Sequence, residues 1–303
     1  MVFHEVSYEA PPIFVILQGY FQDKDIPALK KSALSYGVKE DEFKAFLAYA
    51  AAFYNNMGNY NSFGSKKFIP EISKDAFVTI LKSNPLFRQR TDKGKLYKYM
   101  VRELFPLVSD EIWALDKPYT TLGFPDQGGV TGFFGRNMNS VDLKLVKEFL
   151  EDQQVDILNT RAFKKSDHHY IVTVGSINSD KTMRNIPFKG AEFDLEYGEF
   201  SSYLRDVVFY LKMAKEYASN QHERDMIDKY VDHFKTGNIS LHKDSQREWI
   251  MDKGPIIESN LGWIEHYVDP ENVRAIWEGW VALVDKERSK KFSKLVNNSQ
   301  AVL

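Results

Sequence analysis

The chain has 303 residues and a net charge of −2, from 40 basic and 42 acidic side chains, so it carries no global field to recruit nucleic acid or an anionic membrane. It has no cysteine, which excludes disulfides, thiolate zinc sites and cysteine nucleophiles and fits a cytoplasmic setting. Its 43% apolar and 14% aromatic content is that of a globular protein with a sizeable core.

At the N-terminus the apolar patch Ile13 to Leu17 follows two prolines and lacks a basic flank or a small-residue cleavage site, so it does not read as a signal peptide. No run of about 18 uncharged apolar residues occurs, so no transmembrane helix is predicted. Phe43, Phe46, Leu47, Ala50, Phe53 and Tyr54 recur at i, i+3, i+4 spacing and predict an amphipathic helix over 40–57. It ends at the Gly- and Asn-rich stretch GNYNSFG, a structured loop. Helices are predicted over 74–83 and 93–115, the second bent or split at Pro106. LGFPDQGGVTGFFG (122–135) reads as a loop, and Ser140 as the N-cap of a helix to about Gln153.

DILNTRAFKK, HHYIVTVGSI and FKGAEFDLEY predict three strands of a small antiparallel sheet. Helical periodicity returns between about Phe200 and Met251, with Tyr203, Val207, Tyr210, Leu211 and Ala214 on one stripe and Met226, Tyr230 and Phe234 on the next. PIIESNLGWIEHY then reads as extended, placing Glu258 and Asn260 on one face. A last helix is expected from about Val273 to the end on the strength of Ile276, Trp277, Trp280, Val281 and Val284. The fold class is therefore α+β, mostly helical, with a small antiparallel sheet or barrel.

Metal chemistry fails on spacing. His4 and His222 each begin a His-Glu pair, yet neither has the second histidine one turn on that a helical zinc site needs. His168 and His169 are strand neighbours with opposite directions. There is no Gly-x-Ser-x-Gly elbow, and the glycines of GGVTGFFG lack the Lys-Ser/Thr of a phosphate loop, so they read as a turn that permits close backbone approach.

Glu258 has an unusual setting: an acid on a strand, flanked by Ile257 and Trp263 and sharing a face with Asn260. It could receive the ammonium of a peptide N-terminus or could be paired with a lysine or arginine; the residues alone leave both open.

Several segments together are similar to one family. NNMGNYNSFGSKKFIP (55–70), LGFPDQGGVTGFFG, the NTR at Asn159 to Arg161, HFKTGNISLHKDSQREWIMDKGPIIESNLGWIEHYVDP (233–270) and KERSKKFSKLVNNSQ resemble dipeptidyl peptidase III, a zinc exopeptidase, in order along essentially the whole chain. The resemblance implies two lobes facing across a cleft, with 1–272 forming the lower, substrate-binding lobe and 273–303 a helix leading toward an upper catalytic lobe. It implies short peptides with a free N-terminus as ligands. It also implies that Glu258 holds the peptide ammonium, that Asn260 is a neighbouring contact, and that Phe63 with Gly64 walls a subsite. The family's zinc sits on a His-Glu-x-x-x-His helix of the upper lobe, and neither that motif nor the later Gly-Ile-Asn-Ile-Pro-Asn segment is in this sequence. The expectation is thus a lobe that has no catalytic or metal residues of its own, binds no zinc, and is inactive alone. A truncated homologue serving as a non-catalytic peptide- or protein-binding module is the alternative.

Overall fold

The computed structural model describes residues 1–22 and 25–302. Helices α1 (Val2–Val6), α2 (Ala10–Phe21), α3 (Ile26–Ser35), α4 (Glu40–Asn56), α5 (Lys74–Ser83), α6 (Asp92–Tyr99) and α7 (Phe105–Trp113) open the chain. Between α6 and α7 lies one turn of wider π-helical geometry, Met100–Leu104, followed by Pro106 in the first turn of α7, where its missing N–H costs nothing. The Phe43, Phe46, Ala50 and Phe53 stripe of α4 is buried, as its spacing requires, against α2 and α5. Phe46 meets Tyr20 edge-on at 5.1 Å and Phe77 at 5.0 Å, and each such ring removed from water contributes roughly 2–3 kcal/mol.

Helix α8 (Ser140–Asp152) covers a sheet of β1 (Thr160–Ser166), β2 (His169–Gly175), β3 (Met183–Phe188) and β4 (Ala191–Glu199). Its N-cap is Asn139, one residue before the Ser140 that the sequence suggested; Asn139 Oδ1 accepts from the amides of Val141 and Asp142, and Asp142 returns a bond to the Asn139 amide. The strand order is β1-β2-β4-β3, and β2 runs parallel to β4. The sheet is therefore mixed, not wholly antiparallel. The reason is that β3 leaves the edge of β2 free, so that β4 can return beside it through a chain reversal. His168 takes a left-handed turn (φ 61) ahead of β2, not a strand position.

The glycines at 123–132 do what close approach demands. A Cβ on Gly129 would lie 2.5 Å from the Gly123 carbonyl carbon, and one on Gly132 2.1 Å from the His4 carbonyl oxygen. Helices α9 (Ser201–Lys215), α10 (Gln221–Thr236) and α11 (Ile239–Met251) pack with β5 (Ile257–Glu265) and β6 (Ile276–Leu283) around Tyr230, Phe234, Trp263 and Trp277.

The expected helix over 273–303 is corrected here. Residues 276–283 form β6, paired antiparallel with β5 from Ile257↔Leu283 to Glu265↔Ile276, and only α12 (Lys286–Asn297) and α13 (Ser299–Val302) are helical. Ile276, Trp277, Trp280 and Val281 fit a 3.6-residue stripe, but the hydrogen-bond partners that β5 offers override it in favour of the strand.

Candidate functional site

The predicted site is built where α11 lies across β5. Gly237 ends α10 in a left-handed turn (φ 74), and the Asn238 side chain caps α11 through the Ser240 amide, so the two helices form a tight hairpin. Asn159 clamps that hairpin to the sheet by donating to the carbonyls of both Gly175 and Gly237. His242, Gln246 and Trp249 then form one stripe of α11, and each serves a residue on one face of β5.

Trp249 Nε1 donates to Glu258 Oε2 at 2.8 Å. Gln246 Nε2 donates to the Tyr230 hydroxyl at 2.9 Å, and that hydroxyl donates to Asn260 Oδ1 at 3.1 Å. The His242 ring packs under Gly262, whose φ of 144° no larger residue adopts easily and where a Cβ would sit 3.1 Å from His242 Cε1. A strand and a helix thus keep step over three contacts.

The electrostatics are set by what is missing from the shell. Among the described residues Glu258 is engaged by a neutral indole, with no lysine or arginine in ion-pair range. It is half-buried, so the carboxylate keeps an uncompensated charge and an open acceptor, Oε1. The nearby imidazoles do not supply a counter-charge. Burial, and then the neighbouring His242, drive His233 down to about 3, and burial lowers His242. Glu265 is exposed beside Glu278, whose carboxyl is raised by burial first and by Glu265 second; among the described residues no lysine or arginine stands in ion-pair range of Glu265.

Phe63 and Gly64 are elsewhere. Phe63 is 83% exposed at the tip of its loop and stacks on Tyr267 with ring centroids 5.3 Å apart and planes 18° from parallel; Gly64 follows in a left-handed turn, φ 90. Tyr267 is just past the far end of β5, so up to ~30 Å of strand separates this aromatic pair from Glu258, less what the register shift between Trp263 and Glu265 takes up. The structure brings Glu258 and Asn260 together and leaves Phe63 and Gly64 at the opposite end of the same strand. Sequence reasoning missed Trp249, Tyr230, Gln246 and Tyr267; the i, i+4, i+7 stripe on α11 was the available signal. A polar cleft of about 380 Å³ between the end of α8 and the α10–α11 turn is lined by none of the four predicted residues.

The profile of peptidase family M49 matches residues 104–303, about two thirds of the chain. This chain belongs to peptidase family M49. It is 38% identical over 299 residues to dipeptidyl peptidase 3 of Dictyostelium discoideum, and 37% identical over 312 residues to dipeptidyl peptidase 3 of Mus musculus. Each match takes in 99% of this chain and 41% of the relative, so the M49 chain spans about two fifths of the length of these relatives. DPP III of Caldithrix abyssi superposes on 91% of the M49 chain and 43% of its own at 16% identity, with a TM-score of 0.43, too low to carry an argument.

M49 is a metallopeptidase family, so a catalytic metal would need a cluster of free donors. The His169, Glu192 and Asp194 group is the one cluster of at least three such donors among the described residues. It does not fit. Asp194 Oδ1 already accepts the Asn185 amide at 2.9 Å, Oδ2 meets His169 Nε2 at 3.0 Å, and the Lys165 ammonium stands 3.7 Å from the same oxygen. A lysine beside a carboxylate whose two oxygens already accept bonds repels a cation, and His169 Nε2 is already engaged with that carboxylate. No helix among the described residues is long and apolar enough to cross a membrane.

Proposed function

We propose that this M49 chain is the substrate-binding lobe of a dipeptidyl peptidase III, a zinc enzyme that removes dipeptides from the N-terminus of short peptides. Glu258 receives the ammonium of the peptide's first residue. The observation that carries this reading is the indole bond to Glu258: Trp249 orients the carboxylate through a neutral donor, so the negative charge stays available to an incoming cation. Asn260 is oriented by Tyr230 through Oδ1, which leaves Nδ2 to donate to a peptide carbonyl. Phe63 and Gly64 form a wall for a more distant part of the ligand.

Bond cleavage needs a metal and a general base that the residues here do not furnish, so the activity belongs to this lobe only when it is joined to a zinc-bearing upper lobe. Binding energy from a half-cleft is small because one face of the ligand stays wet.

Calorimetric titration with a free-amine tetrapeptide and with its N-acetylated form tests the site. The free amine is expected to bind at least tenfold more tightly, and Glu258→Gln to abolish that difference, with Trp249→Phe reducing it several-fold. Equal binding of the two peptides removes Glu258 from the site. Zinc-dependent dipeptide release by this chain alone would refute its inactivity.

A further inference from the structure

The turn between α1 and α2 and the loop that presents Phe63 press together around polar side chains sealed from solvent. Gly58 packs against Val6 and Ala10, with a Cβ there 2.8 Å from Val6 Cγ1, and two residues on the Tyr60 hydroxyl donates to Glu9 Oε1 at 2.8 Å. Asn59 lies between these two contacts and is fully buried, as are Ser7 and Glu9. The Lys67 ammonium enters from the loop's other end. It stops 3.8 Å from Glu9 Oε1, donates to the Glu111 carbonyl, and stands over the rings of Tyr60 and Tyr119 at 5.5 and 5.0 Å. Tyr49 of α4 closes the enclosure; burial first and the Glu9 charge second raise its phenol.

Five polar atoms here have no hydrogen-bond partner among the described residues: Ser7 Oγ, Glu9 Oε2, the Tyr49 hydroxyl, and both Oδ1 and Nδ2 of Asn59. Buried polar groups in folded proteins are paired, and each one left dry costs a factor of ten or more in the folding equilibrium. The ligand that satisfies them must donate and accept, because the set includes acceptors and the Asn59 amide donor. A cation fails this requirement and would also face Lys67, which already balances Glu9. Exchanging the Asn59 amide atoms leaves that requirement unchanged.

We propose that this enclosure is a hydration site, in which about two ordered waters, each making ~3 hydrogen bonds, satisfy Ser7, Glu9, Tyr49 and Asn59. The waters lock the base of the loop whose tip carries Phe63. Beyond that base the loop is held by its own bonds, Asn61 N to Lys66 O at 2.9 Å, Ser65 N to Asn61 O at 3.1 Å and Phe68 N to Asn59 O at 3.1 Å, and by bonds to its neighbours, Ser62 N to Asn56 Oδ1 at 2.9 Å, Lys67 N to Thr120 O at 3.1 Å and Leu122 N to Ser65 O at 2.9 Å. Ser7, Glu9 and Asn59 are therefore positioning residues for the aromatic loop.

An atomic-resolution crystal map of the intact protein is the direct test, with about two waters expected within ~3.2 Å of the five atoms. Amide exchange in Asn59→Leu, which removes donor and acceptor while keeping the branching and number of heavy atoms, is expected to rise ~tenfold or more at Asn61, Lys67 and Phe68 while α10 and α11 keep their protection. A dry enclosure in the map overturns the proposal. So does exchange in Asn59→Leu that is unchanged, or that rises equally across the molecule. Should Asn59→Leu not fold, Ser7→Ala reads the same amides with a smaller deletion, and the map of the unaltered protein decides on its own.

Discussion

Glu5 and Glu258 accept the same bond, an indole N–H at 2.8 Å, in opposite settings. Glu5 is 1% exposed: Trp263 Nε1 donates to one oxygen and the Trp277 backbone amide to the other at 2.7 Å, so α1 is stitched to both β5 and β6. Burial outweighs those bonds and pushes the Glu5 carboxyl up to about 7. Glu258 has one donor, partial exposure and a free oxygen. The difference teaches that an acid beside a tryptophan is a structural stitch when both oxygens are filled, and a receptor when one is left open.

The largest expected effect comes from breaking the stitch. Glu5→Ala leaves the Trp263 indole and the Trp277 amide unpaired in the core, and a loss of about 3–5 kcal/mol is expected in urea unfolding. The corresponding truncation Glu258→Ala, at a half-open site with a single bond, is expected to cost about 1 kcal/mol or less. Equal losses would erase the contrast.

The pH dependence sharpens it. In the native state Glu5 holds its proton up to about 7, against a usual value of 4.5, so the folded chain binds more protons than the unfolded one between those values. Its contribution is fully present below 4.5 and is lost as pH rises through about 7, an amount of about 2–3 kcal/mol. His233, held down to about 3, acts in the other direction: the unfolded chain takes up a proton below about 6.5, and stability is lost as pH falls from there toward about 3. The stability difference between the parent and Glu5→Gln is therefore expected to shrink by about 2–3 kcal/mol from pH 4.5 to pH 7.5, as read by denaturant midpoints. A constant difference would place the Glu5 carboxyl in its ordinary range.

Between these two acids on β5 and its contacts lies Gly262. Gly262→Ala puts a methyl 3.1 Å from His242 on a backbone with φ 144°, and a loss of about 1–3 kcal/mol is expected in thermal unfolding, with α11 displaced from Glu258. The smallest stability effect is at the other end of the strand. Phe63→Ala removes an 83% exposed ring stacked only on Tyr267, so stability should change by under about 0.5 kcal/mol, while tetrapeptide affinity falls if that pair touches ligand. An affinity unchanged by Phe63→Ala would confine the peptide to the Glu258 end.

Much of the fold was legible where period and burial agree. The aromatic stripe of α4 and the extended run at β5 follow from local spacing alone. Other elements were not legible, for reasons that are physical. β6 was read as a helix because its apolar residues fit the 3.6-residue period, and the ladder that β5 supplies overrides that local pattern. β3, with Arg184, Asn185 and Pro187, has no strand signature; it exists because β4 offers it an edge and because Asp194 Oδ1 binds the Asn185 amide. The parallel β2–β4 pairing was likewise invisible to local pattern.

By itself the sequence determined the α+β class, the M49 family and the oddity of an acid in the 255–267 run, because each of these is written in residue types and their order. Only the tertiary structure decided that Glu258 meets an indole rather than a lysine, that Glu5 is sealed against two tryptophans of β5 and β6, and that Phe63 stands at the opposite end of β5. Those outcomes depend on which distant side chains packing brings to within 3 Å, and charge compensation at that range is a property of the folded neighbourhood that no local pattern encodes.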